Sequence, residues 1–394
     1  MRSAAVNITR RLGATRSFSM SAAVAGRVSR MQNWFPGTAH PLIVSAPMAF
    51  VSTPKLATEV VRADGLGFIQ GGRTFKPDSP EPAQLDEQLK LVTKLLEESQ
   101  PQKRFLSKID GKLPIGVGFV LFSDCAATYF GTTTAPILAR HRPAAVWLFA
   151  PGPDQPDTLR RVVDAIRTAS ASGSGSRWNP RVVVQVGTVR AAREAAGLGA
   201  DVIVAQGGDA GGHQFVQAAG IVSLVPEIRD MVRDEFPDKE IAVWAAGGIA
   251  DGRGVAAALA LGAEGAVMGT RYMVAPETDA EEYKRKALLA TSDGAATTVK
   301  SYVHDHVQGN WTWPAVYDAR AIVHPSYRDD VAGMAIKENE ARYKAAKAKG
   351  DVDMMVTWSG TGVGLVRNAL PAAEITETVR QEAVEVINQL TAGS

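Results

Sequence analysis

The sequence predicts an α/β fold, a (β/α)8 TIM barrel with a C-terminal helical capping subdomain. Beyond residue 40, short β-branched apolar runs alternate with longer helix-like segments, and there are eight such runs. The runs are apolar almost throughout rather than on alternate positions, as expected of parallel strands buried on both faces. Eight consecutive βα units suit a closed barrel better than an open sheet, and a barrel of about 250 residues folds as one domain. The 394-residue chain is therefore read as one large domain with additions.

The expected strands are Leu42 to Ser45, Gly67 to Gln70, Ile115 to Val120, Ala145 to Phe149, Arg181 to Val186, Asp201 to Ala205, Ile241 to Ala245 and Gly265 to Gly269. Helices are expected over Pro54 to Asp64, Ala83 to Glu98, Asp124 to Arg140, Asp157 to Ala169, Val189 to Leu198, Gly220 to Asp234, Asp251 to Leu261 and Glu277 to Ala290. Several open on Pro or Asp and several close at Gly, the usual helix start and stop signals. The stretch 73 to 113 exceeds what one connection needs, and the Ser/Gly run within 170 to 180 reads as a surface linker.

Residues 1 to 30 hold six arginines, five serines and no acid, and the first acidic residue is Glu59. An Arg-rich, acid-free leader describes a mitochondrial transit peptide, with the cytoplasm as the alternative location. No apolar run of about 7 to 15 residues follows the charges, so a secretory signal is not expected. No stretch of about 18 apolar residues predicts a membrane span. Without the leader the chain carries 37 basic against 41 acidic residues, which gives no basic footprint for nucleic acid. Cys125 is the single cysteine and excludes an internal disulfide or a multi-cysteine metal site. The organisation is then a leader over 1–34, a barrel over 35–294, a capping and substrate region over 295–370, and a closing helix over 371–394.

In a barrel, ligand and catalytic groups come from the carboxyl ends of the strands. Ala46-Pro47-Met48-Ala49 follows strand 1, and Gly71-Gly72 follows strand 2. Gln206-Gly207-Gly208-Asp209-Ala210-Gly211-Gly212-His213 follows strand 6, Gly247-Gly248-Ile249-Ala250-Asp251-Gly252 follows strand 7, and strand 8 runs into Val267-Met268-Gly269-Thr270-Arg271. Glycines after the last two strands let backbone N–H groups close on a phosphate. Four glycines within residues 207 to 212 define a loop built for close approach, and His213 at its end is the candidate general base, since imidazole titrates nearest neutrality. His304-Asp305-His306 presents two imidazoles but no third ligand at a useful spacing, so no metal is expected. Cys125 reads as a packed thiol, Trp311 and Trp313 as packing under the cap with an aromatic lid over a flat cofactor as the alternative, and the charged stretch 335 to 350 as a solvated helix face.

Ala46-Pro47-Met48, Gln206-Gly207 with Ala210-Gly211-Gly212-His213, Ala246 to Gly254, and Val267 to Arg271 together resemble the nitronate monooxygenase family, formerly called 2-nitropropane dioxygenase, over residues 40 to 370. Trp358-Ser359-Gly360 and Trp313-Pro314 fit its C-terminal segments. The resemblance implies non-covalent FMN, with Pro47, Met48 and Ala49 lining it from strand 1 and Gln206, Gly211 and Gly212 from strand 6. Gly247, Gly248 and the run Val267, Met268, Gly269 and Thr270 would hold its phosphate, and His213 matches the catalytic histidine. Gly118 stands where many members carry Asn, and Gln185 where some carry Lys. The implied reaction oxidises a small alkyl nitronate, or a neutral nitroalkane, with O2 to a carbonyl compound and nitrite. The competing reading is an NAD(P)H-dependent FMN reductase of quinones or enoyl thioesters on the same barrel. A homodimer is left open.

Overall fold

The structure is a computed structural model that describes residues 22–98, 111–171 and 178–392. Its strands in chain order are β1 (Ile43–Ser45), β2 (Gly67–Gly72), β3 (Leu113–Val120), β4 (Pro143–Phe149), β5 (Arg181–Val186), β6 (Val202–Gln206), β7 (Gly212–Phe215), β8 (Ala242–Ala246), β9 (Gly265–Met268), β10 (Thr298–Ser301) and β11 (Tyr317–Ile322). Eight of them form one all-parallel sheet in the order β1-β9-β8-β6-β5-β4-β3-β2, each within two residues of its expected position. The sheet curls until a bridge between Val44 and Leu66 joins its two ends. Ser45 secures that seam, because its buried hydroxyl accepts the Phe68 N–H at 3.1 Å.

The side-chain period of two sorts each strand into two cores. Ile43, Ile69, Val117, Val146, Val184, Ile203 and Val243 point outward under the helices. Val44, Phe68, Trp147, Val183, Val204, Trp244 and Val267 fill the barrel interior. Room for these large rings comes from β3, two of whose inward positions are glycine: a Cβ on Gly116 would run into the Phe68 ring, and one on Gly118 into the Pro47 ring. The helices start where the sequence supplies caps, with Thr53, Thr188 and Asp251 each accepting an amide from the first turn.

Several expectations change. The single helix expected over 124 to 140 is two, Ala126–Thr133 and Ala135–His141, because Pro136 has no N–H to continue the ladder. The helix expected from Glu277 is preceded by a short turn, Thr270–Met273, and begins at Glu282. Most of the proposed leader and the core of the Ser/Gly linker lie outside the described residues. The helix Ala22–Trp34 is described, however, and it falls inside the stretch assigned to the leader. Met31 and the following Phe35 are buried with the barrel interior, where the Trp244 Nε1–H donates to Met31 Sδ at 3.4 Å. Arg30 and Arg229 both pair with Glu264, whose side chain is fully buried. This helix therefore closes the amino end of the barrel and belongs to the folded body.

The cap has the helix expected near 335 to 349, Ile336–Ala348, and a further one over Pro325–Val331, whereas the closing helix Ala372–Ala392 packs into the barrel's outer core beside the helices Gly252–Ala260 and Pro54–Arg62. The cap also holds a three-stranded antiparallel sheet, β10-β11-β7, that the sequence reading left out. β7 leaves the barrel immediately after β6 and pairs with β11 of the cap, with His213 opposite Ala319. Among the described residues, no helix is long and apolar enough to cross a membrane.

Candidate functional site

The residues singled out after the strands converge because β1, β9, β8 and β6 are neighbours in the sheet. Pro47 to Ala49, Gly269 with Thr270, Gly247 with Gly248, and Gln206 therefore occupy one arc of the barrel mouth, although they span more than half the chain. The β1 loop is braced by Ser52, whose hydroxyl donates to the Ala46 carbonyl at 2.9 Å and accepts the Met48 N–H at 3.0 Å. Gly269 lies under Met48, with the Met48 sulfur 3.6 Å from where a Cβ would stand.

Gly247 and Gly248 follow each other at φ of 111° and 73°, a left-handed pair that other residues adopt at a cost of about 1–2 kcal/mol each. Among the described residues, the N–H groups of Gly248, Gly269 and Thr270 find no protein acceptor. Gln206, at the top of β6, points inward; its Nε2 donates to the His213 carbonyl at 3.2 Å, while its buried Oε1 has no partner. A buried amide oxygen without a donor is costly unless something supplies the missing partner, and the half-buried backbone amides are open to an acceptor. These groups fit a flat ligand that carries both a donor and a phosphate. Val267 faces the interior from β9, whereas the Met268 side chain lies in the outer core under the helices, so Met268 offers the site only its main chain.

The cap's segment 358–362 crosses this arc. A Cβ on Gly211 would run into Ser359 and Gly360, and one on Gly362 would meet the Gly248 carbonyl at 2.6 Å. Gly360 donates to the Thr270 hydroxyl at 3.0 Å, and the Thr361 N–H donates to the Asp209 carbonyl at 3.0 Å. Arg320 of β11 donates through Nε to the Gly208 carbonyl at 3.1 Å. The glycines of 207 to 212 thus serve partly to let the cap dock on the barrel.

His213 stands on β7, a strand rather than the end of a loop. Its Nε2 lies 2.9 and 3.1 Å from the two carboxylate oxygens of Asp305. Its ring stacks on Trp313 at 3.7 Å and 10°, and Trp358 is tilted against it at 5.1 Å. Trp313 in turn packs on Phe122 and Phe149, giving the imidazole an aromatic wall. Asp305 as a site residue is missed by the sequence reading, which takes Trp313 as packing with an aromatic lid as the alternative. Trp311, expected under the cap, is half exposed and stacks on His306 at 3.9 Å.

The His304-Asp305-His306 run separates into three tasks. His304 Nε2–H donates to the Val299 carbonyl at 3.0 Å, which leaves its Nδ1 to accept from His324 Nε2 at 2.9 Å. Burial holds both rings well below the usual histidine range, His304 at about 4 and His324 at about 3. His306 is spent on Trp311, and Asp305 on His213. Gln185 accepts the Trp147 Nε1–H at 3.0 Å inside the barrel. Cys125 is buried, with its sulfur 2.8 Å from the Ser123 hydroxyl.

An eight-stranded α/β barrel with a histidine–carboxylate pair at the mouth, beside amides left open for an anion, defines an enzyme of the (β/α)8 class. Comparison with known proteins narrows this. Residues 174–382 match the family model for nitronate monooxygenase. The chain is 45% identical over 370 residues to a nitronate monooxygenase of Neurospora crassa, covering 93% of this chain and 95% of that protein. It is 36% identical to one of Metarhizium robertsii, covering 91% and 95%, and 30% identical to one of Pseudomonas aeruginosa, covering 86% and 95%. The chain belongs to the nitronate monooxygenase family and is an oxidoreductase. Two solved structures share its fold. FabK from Thermotoga maritima superposes with a TM-score of 0.67 at 24% identity, covering 93% of this chain and 99% of that one. A nitroalkane oxidase from Streptomyces ansochromogenes gives 0.65 at 24%, covering 91% and 99%.

Proposed function

We propose that the chain binds FMN at the barrel mouth and oxidises small alkyl nitronates, and neutral nitroalkanes, with O2 to carbonyl compounds and nitrite. The observation that carries this reading is the juxtaposition of His213, held by Asp305 against Trp313, with the arc of Gln206, Gly248, Gly269 and Thr270. Gly247, Gly248, Gly269 and Thr270 would hold the phosphate through main-chain N–H groups. Pro47, Met48 and Ala49 would line the ring system from β1, and the Gln206 amide would receive a hydrogen bond from it. When bound, FMN supplies the electron acceptor and the reaction with O2.

The protein's own part is acid–base and steric. A nitro group delocalises the charge left on the α-carbon, which makes that carbon acid enough for an imidazole to deprotonate. His213 takes the α-proton of a neutral nitroalkane, and toward a pre-formed nitronate it acts by orienting the anion. The aromatic wall of Phe122, Phe149 and Trp313 shapes an apolar mouth for a short alkyl chain and keeps bulk water from the reacting carbon.

Anaerobic mixing of the purified protein with an alkyl nitronate, followed by flavin absorbance, tests the assignment. Bleaching by the nitronate is the expected result. Rapid bleaching by NADH with none by the nitronate would overturn it in favour of a flavin reductase.

A further inference from the structure

We propose that Asp305 is a positioning residue that fixes the tautomer of His213, so that Nδ1 is the atom that takes the substrate proton. The inference deepens the reading of His213 as the base and rests on it. Asp305 is 5% exposed and sits on the helical turn Val303–His306, in the cap rather than the barrel. An ionised carboxylate only accepts hydrogen bonds. Its Oδ1 receives the Asn310 Nδ2–H at 3.1 Å, and both its oxygens face His213 Nε2. The imidazole must then carry its hydrogen on Nε2, which leaves the lone pair on Nδ1.

The surroundings of the ring agree with that polarity. Trp313 covers one face, and β7 pairing opposite Ala319 fixes the main chain, so the ring cannot turn without losing both the stack and the hydrogen bond to Asp305. The His213 side chain is 19% exposed. Nδ1 makes no hydrogen bond among the described residues and is absent from the buried polar atoms that lack a partner, so it meets open space. In the proposed step the substrate Cα–H bond breaks, the N–H bond forms at Nδ1, and the electron pair stays on the substrate as the nitronate. The imidazolium so formed lies against the Asp305 carboxylate, the arrangement that lets a buried acid both orient a histidine and balance its charge.

The test uses the flavin-loaded protein with 15N-labelled histidine, its His213 signal assigned by difference against His213→Asn. The wild type should show Nε2 protonated and Nδ1 bare, and Asp305→Asn should lose that fixed pattern. In kinetics, Asp305→Asn should lower kcat/KM for a neutral nitroalkane about a hundredfold, with a smaller loss on a pre-formed nitronate, which needs the oriented ring but no proton abstraction. Asp305→Glu, which keeps the charge, should recover most of the loss and serves if the Asn variant fails to fold. A His213 tautomer with Nδ1 protonated in the wild type, or one unchanged by the substitution, would overturn the inference, as would an equal loss on both substrates. Unaltered nitroalkane turnover in His213→Asn would instead remove the base reading itself.

Discussion

Gly118 of β3 lies directly under the ring of Pro47 from the β1 loop, with no space between them for a Cβ. The position where the family resemblance implies Asn is therefore filled here by a neighbour's ring. Gly118→Ala should push Pro47 off its seat, with a cost of about 1–3 kcal/mol from overpacking and weaker flavin retention. A thermal melt and the flavin fluorescence released on dilution would measure both.

The Gly247-Gly248 turn makes a more selective claim. Gly248→Ala places a Cβ 3.2 Å from the Asp209 Cβ in a left-handed backbone and disturbs the amides proposed for phosphate. The expected result is a loss of affinity for FMN that exceeds any loss for riboflavin, read by fluorescence titration of the apoprotein. Equal losses for the two would take the phosphate away from this turn.

One buried hydroxyl adds to the backbone bonds that close the barrel. Ser45→Ala removes the acceptor of the buried Phe68 N–H, and an orphaned buried donor costs about 1–3 kcal/mol. The midpoint of urea unfolding should fall accordingly, with the catalytic constants of the folded fraction unchanged.

The pair His304 and His324 predicts the acid sensitivity of the cap. Both are depressed in the folded state, to about 4 and about 3, whereas in the unfolded chain they titrate near the ordinary value of about 6.5. Between those limits the unfolded state binds more protons, so stability rises with pH. The contribution is complete above about pH 6.5 and is lost as pH falls through about 4 for His304 and about 3 for His324, on the order of several kcal/mol for the pair. Unfolding free energies measured from pH 7 to 5 should show this slope, and His324→Asn should flatten it.

At the opposite end of the barrel, Arg30→Ala leaves Glu264 with Arg229 as its remaining ionic partner. Partial loss of a buried charge's compensation should cost about 1–3 kcal/mol. An unchanged melting temperature would show that the helix Ala22–Trp34 contributes no stability through this contact.

The barrel was legible because its signal is local. Apolar runs such as Val182 to Val184 and Ile203 to Ala205, separated by capped helices, carry the fold whatever their partners are. The mouth residues were legible for the same reason, since each follows a strand end. The cap was not. β11 does alternate, Tyr317-Asp318-Ala319-Arg320-Ala321, and that period could have marked it as a strand. Its partner β7, however, is four residues long and hidden in a run of glycines. Asp305 lies 92 positions from His213, and no spacing rule links two residues whose contact is made by the docking of one subdomain on another. Gly118 departs from the pattern that the resemblance implies, and its reason, the Pro47 ring that occupies its place, lies in a loop 71 positions away. The helix Ala22–Trp34 was masked by composition, because its arginines read as a targeting signal when two of them, Arg27 and Arg30, bond to the barrel floor.

The arc β1-β9-β8-β6 joins the first strand to the last, and this sets the order of events during synthesis. A ribosome that has released the chain as far as β6 has exposed Pro47 and Gln206 but holds back the strands that belong between them. The mouth cannot assemble until β9 has emerged, and the imidazole gains its carboxylate only after the following subdomain arrives. A product truncated before β9 therefore lacks part of the arc that the mouth needs.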